Sequence, residues 1–496
     1  MHKKVGVLKF GGTSVGSGER ICQVAAIIEN ARQEYRTSDG FFPVIVVSAM
    51  AGVTDQLLRI ARHACSGERE AYTNELASLR LKHLDAAKIV ARNADKHALL
   101  VEELEECLTF LTKDVYALHE FATQGLEVSL PTAAVASWGE RLSIRLVAAA
   151  ACELGVNAEP VRQEIIITTH PKTDPSQPFG IVVGAEPLTE ETRANATRLL
   201  TPLIEQEIVP IAAGFMGRTI TGFVTTLGRN GSDYSATVIG AAIDCVEVSI
   251  YTDVDGVLTA DPRLVANARL LPQLTYEEAA RLSWFGAKVL HPRTLIPIAH
   301  RNIPVRVRNT FRPHIRGTVV GPVLQGQSGA CAITFRRKLA LITVESTDMF
   351  GAPENAGQVF VLAAGAGAAP VAICSSSGHH LSFVVEEQAA DSIIALLHHD
   401  MENWKVSCRR GLAACACIGS GFTSDPMSPA RAVTALAREH IPVISQGASE
   451  QGITLIIADA NSESALRCLH RDLIAPVIPL VRHAHSAHER RKEHVR

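Results

Sequence analysis

The first 60 residues alternate between strand-like apolar runs and a segment with helical apolar spacing. Residues 5–10 form a short apolar run that contains one lysine, and Gly11-Gly12 ends it. A β-branched run occupies residues 44–47. Between the two runs, apolar residues recur at helical spacing at Ile21, Val24, Ala25, Ile28 and Ala31. This order predicts strand, turn, helix and strand, as in a parallel α/β sheet with helices on its faces.

The same alternation returns after a long stretch with few helix-breaking residues. Residues 68–128 are rich in Glu, Leu, Lys and Ala and are expected to be helical, whereas residues 208–211 and 246–251 resemble further strands. Residues 321–329 contain glycine, proline and serine and form a candidate linker. We therefore expect one domain over residues 1–320 and a different region over residues 335–480.

The region after the candidate linker contains a weak internal repeat with an offset of about 72 residues. Residues 370–377 align with 442–449, and residues 381–384 align with 453–456. Each copy has the order helix, strand, polar turn, strand, helix, which predicts two small α+β units. A chance similarity between two strand–turn–strand segments is the alternative. Residues 482–496 are rich in His and Arg and predict a disordered tail rather than a nucleic-acid arm.

The composition is that of a globular protein without a strong electrostatic preference. The chain has 496 residues, which suggests about three domains. Its net charge of −3 provides no basic field for nucleic acid or an anionic membrane. No stretch of about 20 apolar residues lacks charge, and the N-terminus does not resemble a secretory signal. The 11 cysteines include no CxxC pair, which predicts neither a zinc site nor a disulfide framework and favours the cytoplasm.

Two glycine-containing turns carry residues that suit phosphate chemistry. Lys9 to Ser14 place a lysine at a strand end, followed by two glycines and a helix. Glycines let backbone N–H groups approach an anion, and a helix start adds positive potential. Leu227 to Tyr234 form a second turn, in which Ser232 or Asp233 is expected to cap the following helix.

Three further segments place isolated charges beside predicted strands or helices. Residues 251–263 contain an Asp-Gly turn, residues 284–293 hold Lys288 in an apolar setting, and residues 137–141 put Glu140 at a helix start. Each alone has an ordinary structural explanation as a turn, a snorkelling lysine or a glutamate favoured by the helix dipole. Together the segments supply the positioning and charge neutralisation that phosphoryl transfer requires.

In their order and spacing, these segments resemble the aspartate kinases, a branch of the amino-acid kinase family. The resemblance covers residues 1 to about 320 and is most specific in Phe285 to Pro292. The kinase part is most similar to that of bifunctional aspartate kinase–homoserine dehydrogenases, and the repeat resembles tandem ACT domains that sense end-product amino acids. The resemblance implies an α/β fold, namely a three-layer αβα sandwich followed by a pair of ferredoxin-like α+β domains.

The resemblance implies ATP-dependent phosphorylation of the β-carboxylate of L-aspartate, the first step towards lysine, threonine and methionine. Mg²⁺ would be carried by the ATP phosphates rather than by protein ligands. The implied catalytic residues are Lys9, Asp233 and Lys288. The implied ATP-binding residues are Lys9, Gly11, Gly12, Ser14, Ser232, Thr252, Asp253, Leu258, Arg263, Lys288 and Val289. The implied substrate-binding residues are Ser48, Thr54, Glu140, Phe215, Arg229, Ser232 and Asp233.

Feedback regulation and self-association are also implied by the resemblance. The positions implied to contact an effector, either threonine or lysine, are Gln446, Ser449 and Ser376, and a homodimer or larger homo-oligomer is expected. Two departures are notable: Cys374 stands where the first copy would have glutamine, and Leu258 stands where the family often has tyrosine. One alternative function is a non-catalytic amino-acid sensor on a kinase scaffold. Another is a kinase for glutamate, acetylglutamate or UMP.

Overall fold

The computed structural model describes nine stretches of the chain, and the following account concerns these residues. They are residues 3–37, 40–171, 185–228, 230–287, 290–322, 329–345, 353–377, 379–400 and 404–474. The tail predicted over residues 482–496 lies outside them.

Seventeen strands and 14 α-helices form within the described residues. The strands are β1 (Val5–Phe10), β2 (Phe42–Val47), β3 (Ala158–Val161), β4 (Ile167–Thr168), β5 (Val209–Ala213), β6 (Met216–Thr219), β7 (Val224–Thr226), β8 (Val248–Thr252), β9 (Gln273–Thr275), β10 (Val305–Asn309), β11 (Thr318–Gly321), β12 (Gly329–Glu345), β13 (Ala372–Ser377), β14 (His380–Glu386), β15 (Lys405–Ser420), β16 (Ser445–Ser449) and β17 (Gly452–Ala458). The helices are α1 (Gly18–Arg36), α2 (Val53–Cys65), α3 (Arg69–Val90), α4 (Ala94–Thr123), α5 (Ser129–Ala136), α6 (Trp138–Glu153), α7 (Thr189–Glu205), α8 (Gly231–Ala242), α9 (Tyr276–Trp284), α10 (Pro292–Ala299), α11 (Pro353–Gly365), α12 (Ala390–Asp400), α13 (Met427–Arg438) and α14 (Ser462–Leu473).

An eight-stranded sheet organises the first region, with the order β3-β5-β2-β1-β8-β10-β11-β9. All neighbouring strands are parallel except β10 and β11. Every residue of β2 is buried, because a parallel sheet covered by helices on both faces needs continuous apolar strands. A smaller sheet, β4-β6-β7, lies beside it.

Two groups of helices pack on the large sheet. Helix α1 begins after Ser17, whose side chain accepts a hydrogen bond from the N–H of Arg20, and it buries the apolar face that the spacing predicts. It packs with α6, which contacts β5. Helix α8 packs on β1, and helices α7 and α10 pack against α8. The predicted helical stretch over 68–128 is formed by α3 and α4.

A six-stranded antiparallel sheet, β13-β14-β12-β15-β17-β16, organises the second region. Its two central strands, β12 and β15, are long and run through both halves of the sheet. Strands β14 and β17 begin and end about 72 residues apart, and a 3₁₀ turn and a helix follow each. Strand β12 begins at Gly329, before the predicted boundary at 335, because its first half pairs with the end of β15.

The two regions share a buried interface. Ala260 and Val265, from the segment after β8, belong to the apolar core beneath α13 and α14. Oγ1 of Thr259 lies 2.9 Å from Nε2 of the buried His470 in α14. The segment 259–265, which follows β8 in the first region, is therefore packed directly against the second half of the repeat. None of the described helices is both long enough and apolar enough to cross a bilayer.

Candidate active site

A cavity of about 320 Å³ opens at the carboxyl ends of the central parallel strands. Lys9 is the last but one residue of β1, which pairs with β2 on one side and β8 on the other. In α/β sheets, a ligand crevice forms where strand connections leave in opposite directions. Eight residues expected from the sequence to bind ATP or substrate line the cavity: Lys9, Gly12, Ser48, Thr54, Glu140, Phe215, Ser232 and Asp233.

A lysine–aspartate ion pair stands at the floor of this cavity. Nζ of Lys9 lies 2.5 Å from Oδ1 of Asp233, and the two side chains are 8% and 20% exposed. Their limited exposure keeps the local dielectric low, so a charged ligand entering here would interact strongly with both groups. Gly12 lets the turn after β1 approach the neighbouring loop, since a Cβ at this position would lie 3.1 Å from the carbonyl oxygen of Ala49.

Glu140, near the start of α6, is fully buried and faces the same cavity. Its Oε1 accepts a hydrogen bond of 3.0 Å from the N–H of Ala49. Its Oε2 has no hydrogen-bond partner among the described residues. Burial raises the pKa of Glu140 to about 8, while the Ala49 N–H and the positive charge of Lys9 act in the opposite direction. The buried carboxyl therefore keeps its proton to higher pH than an exposed glutamate does.

The residue that caps α8 differs from the one predicted from the sequence. The N-cap of α8 is Asn230, in the left-handed conformation with φ of 57°, and the helix begins at Gly231. The prediction that Ser232 or Asp233 caps this helix is therefore wrong, because both lie in its first turn. Asparagine adopts positive φ more readily than most residues. This arrangement leaves the carboxylate of Asp233 available to Lys9.

Phe215 closes the cavity beside this turn. It also has a positive φ, of 64°, and a Cβ on Gly231 would lie 2.9 Å from its ring. Glycine at 231 therefore permits the ring and the helix start to meet. Arg229, the residue expected to hold the substrate α-carboxylate, lies outside the described residues.

A second, larger cavity of about 960 Å³ borders the segment after β8. Of the predicted ATP-binding residues, Asp253, Leu258 and Arg263 line it. The guanidinium of Arg263 is held by Asp261, with Nη2 2.6 Å from Oδ2. Residues of β12 and α14 complete the wall, so the second region contributes to this cavity: Ile333, Thr334, Phe335, Arg337, Glu463 and Leu466.

Several predicted nucleotide residues do not line either of these cavities. The hydroxyl of Ser14 is buried and lies 2.7 Å from Oγ1 of Thr310, so the structure does not offer it to a phosphate. Thr252 donates a hydrogen bond from Oγ1 to Oδ1 of Asp253. A Cβ atom built on Gly11 would lie 3.4 Å from Nζ of Lys9, so Gly11 lies beside this ammonium group. Lys288 and Val289 lie outside the described residues.

Two of the predicted effector positions, Gln446 and Ser449, line a third cavity, of about 210 Å³. Cys374, which aligns with Gln446 in the internal repeat, lines the same cavity. The third predicted position, Ser376, lies on β13, but its side chain is outside the described part of the structure.

The family of the chain follows from comparison with known proteins. The sequence profile of the amino acid kinase family matches residues 4–309, and that of an ACT domain matches residues 416–473. Aspartokinase 1 of Arabidopsis thaliana is 32% identical over 480 residues, covering 94% of this chain and 79% of that protein. The chain belongs to the amino acid kinase family, among the aspartokinases.

Longer aspartokinases are similar to the same extent. The bifunctional aspartokinase/homoserine dehydrogenase 2 of Zea mays is 33% identical over 481 residues. The match covers 94% of this chain and 50% of that protein, so the chain spans about half the length of this relative.

Solved aspartokinase structures share the fold over nearly the whole chain. E. coli aspartokinase III in complex with aspartate and ADP has a TM-score of 0.76, with 27% identity over 95% of this chain and 100% of that one. The same enzyme in complex with lysine and aspartate has a TM-score of 0.74 and 28% identity over the same shares. The expected amino-acid kinase sandwich followed by ACT-type α+β structure is confirmed.

Sequence reasoning about this aspartokinase missed two residues that shape the cavity. Asn230 carries a recognisable signal, since an Asn-Gly pair favours positive φ. Lys82 carries none: it lies in a long helical segment and resembles a surface lysine. Its Nζ donates a hydrogen bond of 2.6 Å to the carbonyl of Ala51, which lines the 320 Å³ cavity.

Proposed function

We propose that the chain transfers the γ-phosphoryl group of ATP to the β-carboxylate of L-aspartate, giving 4-phospho-L-aspartate and ADP. The observation that carries this proposal is the convergence of Lys9, Asp233 and Glu140 in one cavity of about 320 Å³. The two carboxyl groups can accept the ammonium group of aspartate and the lysine can pair with one of its carboxylates, so a second cation, proposed to be Arg229, is needed for the other carboxylate. The structural relative in complex with aspartate and ADP supports aspartate and an adenine nucleotide as the ligands of this reaction.

Aspartate would bind with its ammonium group between the two cavity carboxyl groups. The unpartnered Oε2 of Glu140 is a ready acceptor, and ammonium binding would draw its proton away. Asp233 would be the second acceptor, while Arg229 would pair with the α-carboxylate. Ser48 and Thr54 supply hydroxyl groups to the same cavity, and Thr54 lies in the first turn of α2.

Phosphoryl transfer would need no protein nucleophile. A β-carboxylate oxygen attacks the γ-phosphorus in line, a new P–O bond forms, and the bond to the leaving ADP oxygen breaks. Lys9 stands at the end of β1, beside the strand that leads into the 960 Å³ cavity, and would neutralise charge on the transferring group. Lys288 is proposed to act on the ATP phosphates as well.

The larger cavity is proposed to hold ATP. Its lining residues Asp253, Leu258 and Arg263 would contact the nucleotide, with Leu258 offering an apolar surface to the base or ribose. The proposed nucleotide contacts also include Thr252, Gly11, Gly12, Ser232 and Val289. No cluster of three or more metal-ligating side chains occurs in the part of the chain that the structure describes. Mg²⁺ is proposed to arrive with ATP, where it would offset phosphate charge.

Regulation and assembly form the remaining part of the proposal. A feedback amino acid, threonine or lysine, would act through the ACT-type region over residues 335–480, with Gln446, Ser449 and Ser376 as contacts. The catalytic unit would cover residues 1–320, and two or more copies would associate. A reducing cytoplasmic setting is supported by the 11 cysteines, all of which are free.

The test measures ADP release and hydroxylamine-trapped acyl phosphate with Mg–ATP and one acceptor at a time. L-Aspartate should give both products, whereas L-glutamate, N-acetyl-L-glutamate and UMP should give neither. Lys9→Met should lower kcat at least 10²-fold, since a lost transition-state charge contact costs about 3 kcal/mol. Lys3→Met is the matched control, because Lys3 donates to the carbonyl of Ile204 away from the cavity. Binding of aspartate without turnover would instead support a non-catalytic sensor.

A further inference from the structure

The turn between β7 and α8 carries proposed substrate residues on an unusual backbone. Gly228 and Asn230 both have a positive φ, of 78° and 57°. Glycine adopts this region freely, whereas a residue with a side chain stays in it where the surrounding structure holds it. A backbone hydrogen bond of 3.0 Å joins the N–H of Gly231 to the carbonyl of Gly228 within the turn. The position of Asp233 therefore depends on the contacts that fix the two ends of this turn.

Arg293, in the first turn of α10, contacts both ends of the turn before α8. Its Nη1 donates a hydrogen bond of 3.1 Å to the carbonyl of Leu227, where the turn starts. Its Cζ lies 4.5 Å from the centroid of the Tyr234 ring, and Tyr234 directly follows Asp233 in the chain. A guanidinium over an aromatic face is attracted by the ring. One side chain thus spans the whole of residues 228–233.

The second terminal nitrogen of the guanidinium is anchored outside this turn. Nη2 of Arg293 donates a hydrogen bond of 3.3 Å to the carbonyl of the buried Ala185 and lies 2.9 Å from Oε2 of Glu186. The two terminal nitrogens therefore have different partners. The planar fork of arginine can serve both, whereas lysine has a single nitrogen. The guanidinium is consequently held in one orientation against the turn.

Arg293 also connects the substrate turn to the proposed phosphate side of the site. Helix α10 directly follows the segment that contains Lys288, which is proposed to act on the ATP phosphates. The same helix packs against α8, the helix that begins with the substrate turn. Arg293 itself does not line the 320 Å³ cavity. Any effect of this side chain on the substrate must therefore pass through the turn.

We propose that Arg293 is a positioning residue that holds residues 228–233 in the shape that binds L-aspartate. The inference rests on the proposed function and deepens it, because it assigns the side chain that keeps Asp233 beside Lys9. Without the guanidinium, the turn occupies several conformations and only a fraction of the molecules can bind aspartate. The apparent affinity for aspartate then falls in proportion to that fraction.

The experiment uses the full chain and measures the Kd of L-aspartate by isothermal calorimetry, together with the KM values for aspartate and ATP. Arg293→Met and Arg293→Lys should each raise the Kd and the KM for aspartate by roughly 10-fold, as expected when about a tenth of the molecules hold the competent turn. The KM for ATP should change less than about 2-fold, because the lining of the 960 Å³ cavity includes none of the residues that Arg293 contacts.

Arg301→Met is the matched control for loosened helix packing. Arg301 follows the other end of α10 and pairs with Asp244, just after α8, so it joins the same two helices away from the turn. The Arg301 side chain is 33% exposed and that of Arg293 is 28% exposed. Aspartate binding and both KM values should be those of the wild type in Arg301→Met.

The inference is overturned if Arg293→Lys binds aspartate as the wild type does, which decides the matter even where Arg293→Met fails to fold. It is also overturned if the KM for ATP rises as much as that for aspartate, or if Arg301→Met weakens aspartate binding equally. A wild type that binds aspartate without phosphorylating it would refute the proposed function, and the calorimetric comparison would still decide the role of Arg293. A wild type that binds no aspartate would overturn both.

Discussion

Replacing Glu140 with glutamine tests two properties of this carboxyl. One is the free-energy cost of burying an ionisable group, and the other is the role of that group in the cavity. The amide oxygen of Glu140→Gln can still accept the hydrogen bond from the N–H of Ala49. The amide nitrogen then occupies the place of Oε2, which has no partner among the described residues. The substitution keeps the shape of the side chain and removes its ability to ionise.

The sign of the effect on stability follows from the raised pKa. Burial holds the pKa of Glu140 at about 8 in the folded chain, against an ordinary value of 4.5. The folded chain therefore keeps a proton that the unfolded chain releases, so this carboxyl destabilises the fold increasingly as pH rises from 4.5 to 8. At about 1.4 kcal/mol per pKa unit, Glu140→Gln should be more stable than the wild type by on the order of 3–5 kcal/mol at pH 9.

Chemical unfolding of both proteins at pH 5, 7 and 9 measures this difference. The gain in free energy of unfolding should be small at pH 5 and should grow towards pH 9. Glu159→Gln is the control, since Glu159 is an exposed glutamate of β3 whose replacement should leave the pH dependence unchanged. Parallel pH profiles for wild type and Glu140→Gln would refute the account of a buried, protonated carboxyl.

The same group links substrate binding to proton release. At pH 7 most Glu140 carboxyls are protonated in the free enzyme, and an arriving ammonium group should ionise them. Calorimetry in buffers of different ionisation enthalpy should therefore record nearly one proton released per aspartate bound at pH 7, and almost none in Glu140→Gln. Equal proton release by both proteins would show that another group ionises.

Three other substitutions test contacts that hold the cavity and the interface. Lys82→Met removes the hydrogen bond to the carbonyl of Ala51, which is worth about 1 kcal/mol. The KM for aspartate should therefore rise roughly 5-fold at unchanged kcat. A change in kcat alone would contradict this positioning role. Thr259→Val removes the hydroxyl partner of Nε2 of the buried His470 and should lower the free energy of unfolding by about 1–2 kcal/mol in urea titrations; an unchanged free energy of unfolding would contradict this contact. Gly12→Ala places a Cβ 3.1 Å from a carbonyl oxygen and should lower kcat/KM in steady-state assays, and wild-type values would exclude this crowding.

Much of the fold could be predicted from local patterns in the sequence. The apolar run of β1, the glycine turn and the helical spacing of α1 all depend on residues within one or two turns of one another, so the sequence displays them directly. The turn residues of the candidate site are visible for the same reason, because glycine and asparagine mark positions where the backbone needs unusual freedom. Among the eight predicted residues that meet in one cavity, Lys9 lies at the end of β1 and Ser48 follows β2, whereas others lie in the first turns of helices: Thr54, Glu140, Ser232 and Asp233.

Contacts between distant residues could not be predicted in this way. The hydroxyl of Ser14 pairs with Thr310 rather than facing a phosphate, and nothing near Ser14 in the chain indicates that partner. Arg281 meets Ser449 only because two sheet edges approach each other beneath α9. The extension of β12 before residue 335 depends on pairing with the end of β15, which a comparison of the repeat with itself does not reveal.

The most direct test of the proposed reaction follows an oxygen atom from aspartate into phosphate. L-Aspartate labelled with ¹⁸O in both β-carboxylate oxygens is incubated with the full chain, Mg–ATP and hydroxylamine. Hydroxylamine attacks the acyl carbon and breaks its bond to the bridging oxygen, so the released phosphate should contain one ¹⁸O atom for each hydroxamate formed. Unlabelled phosphate released in step with ADP would mean that water attacks ATP, and it would contradict phosphorylation of the β-carboxylate.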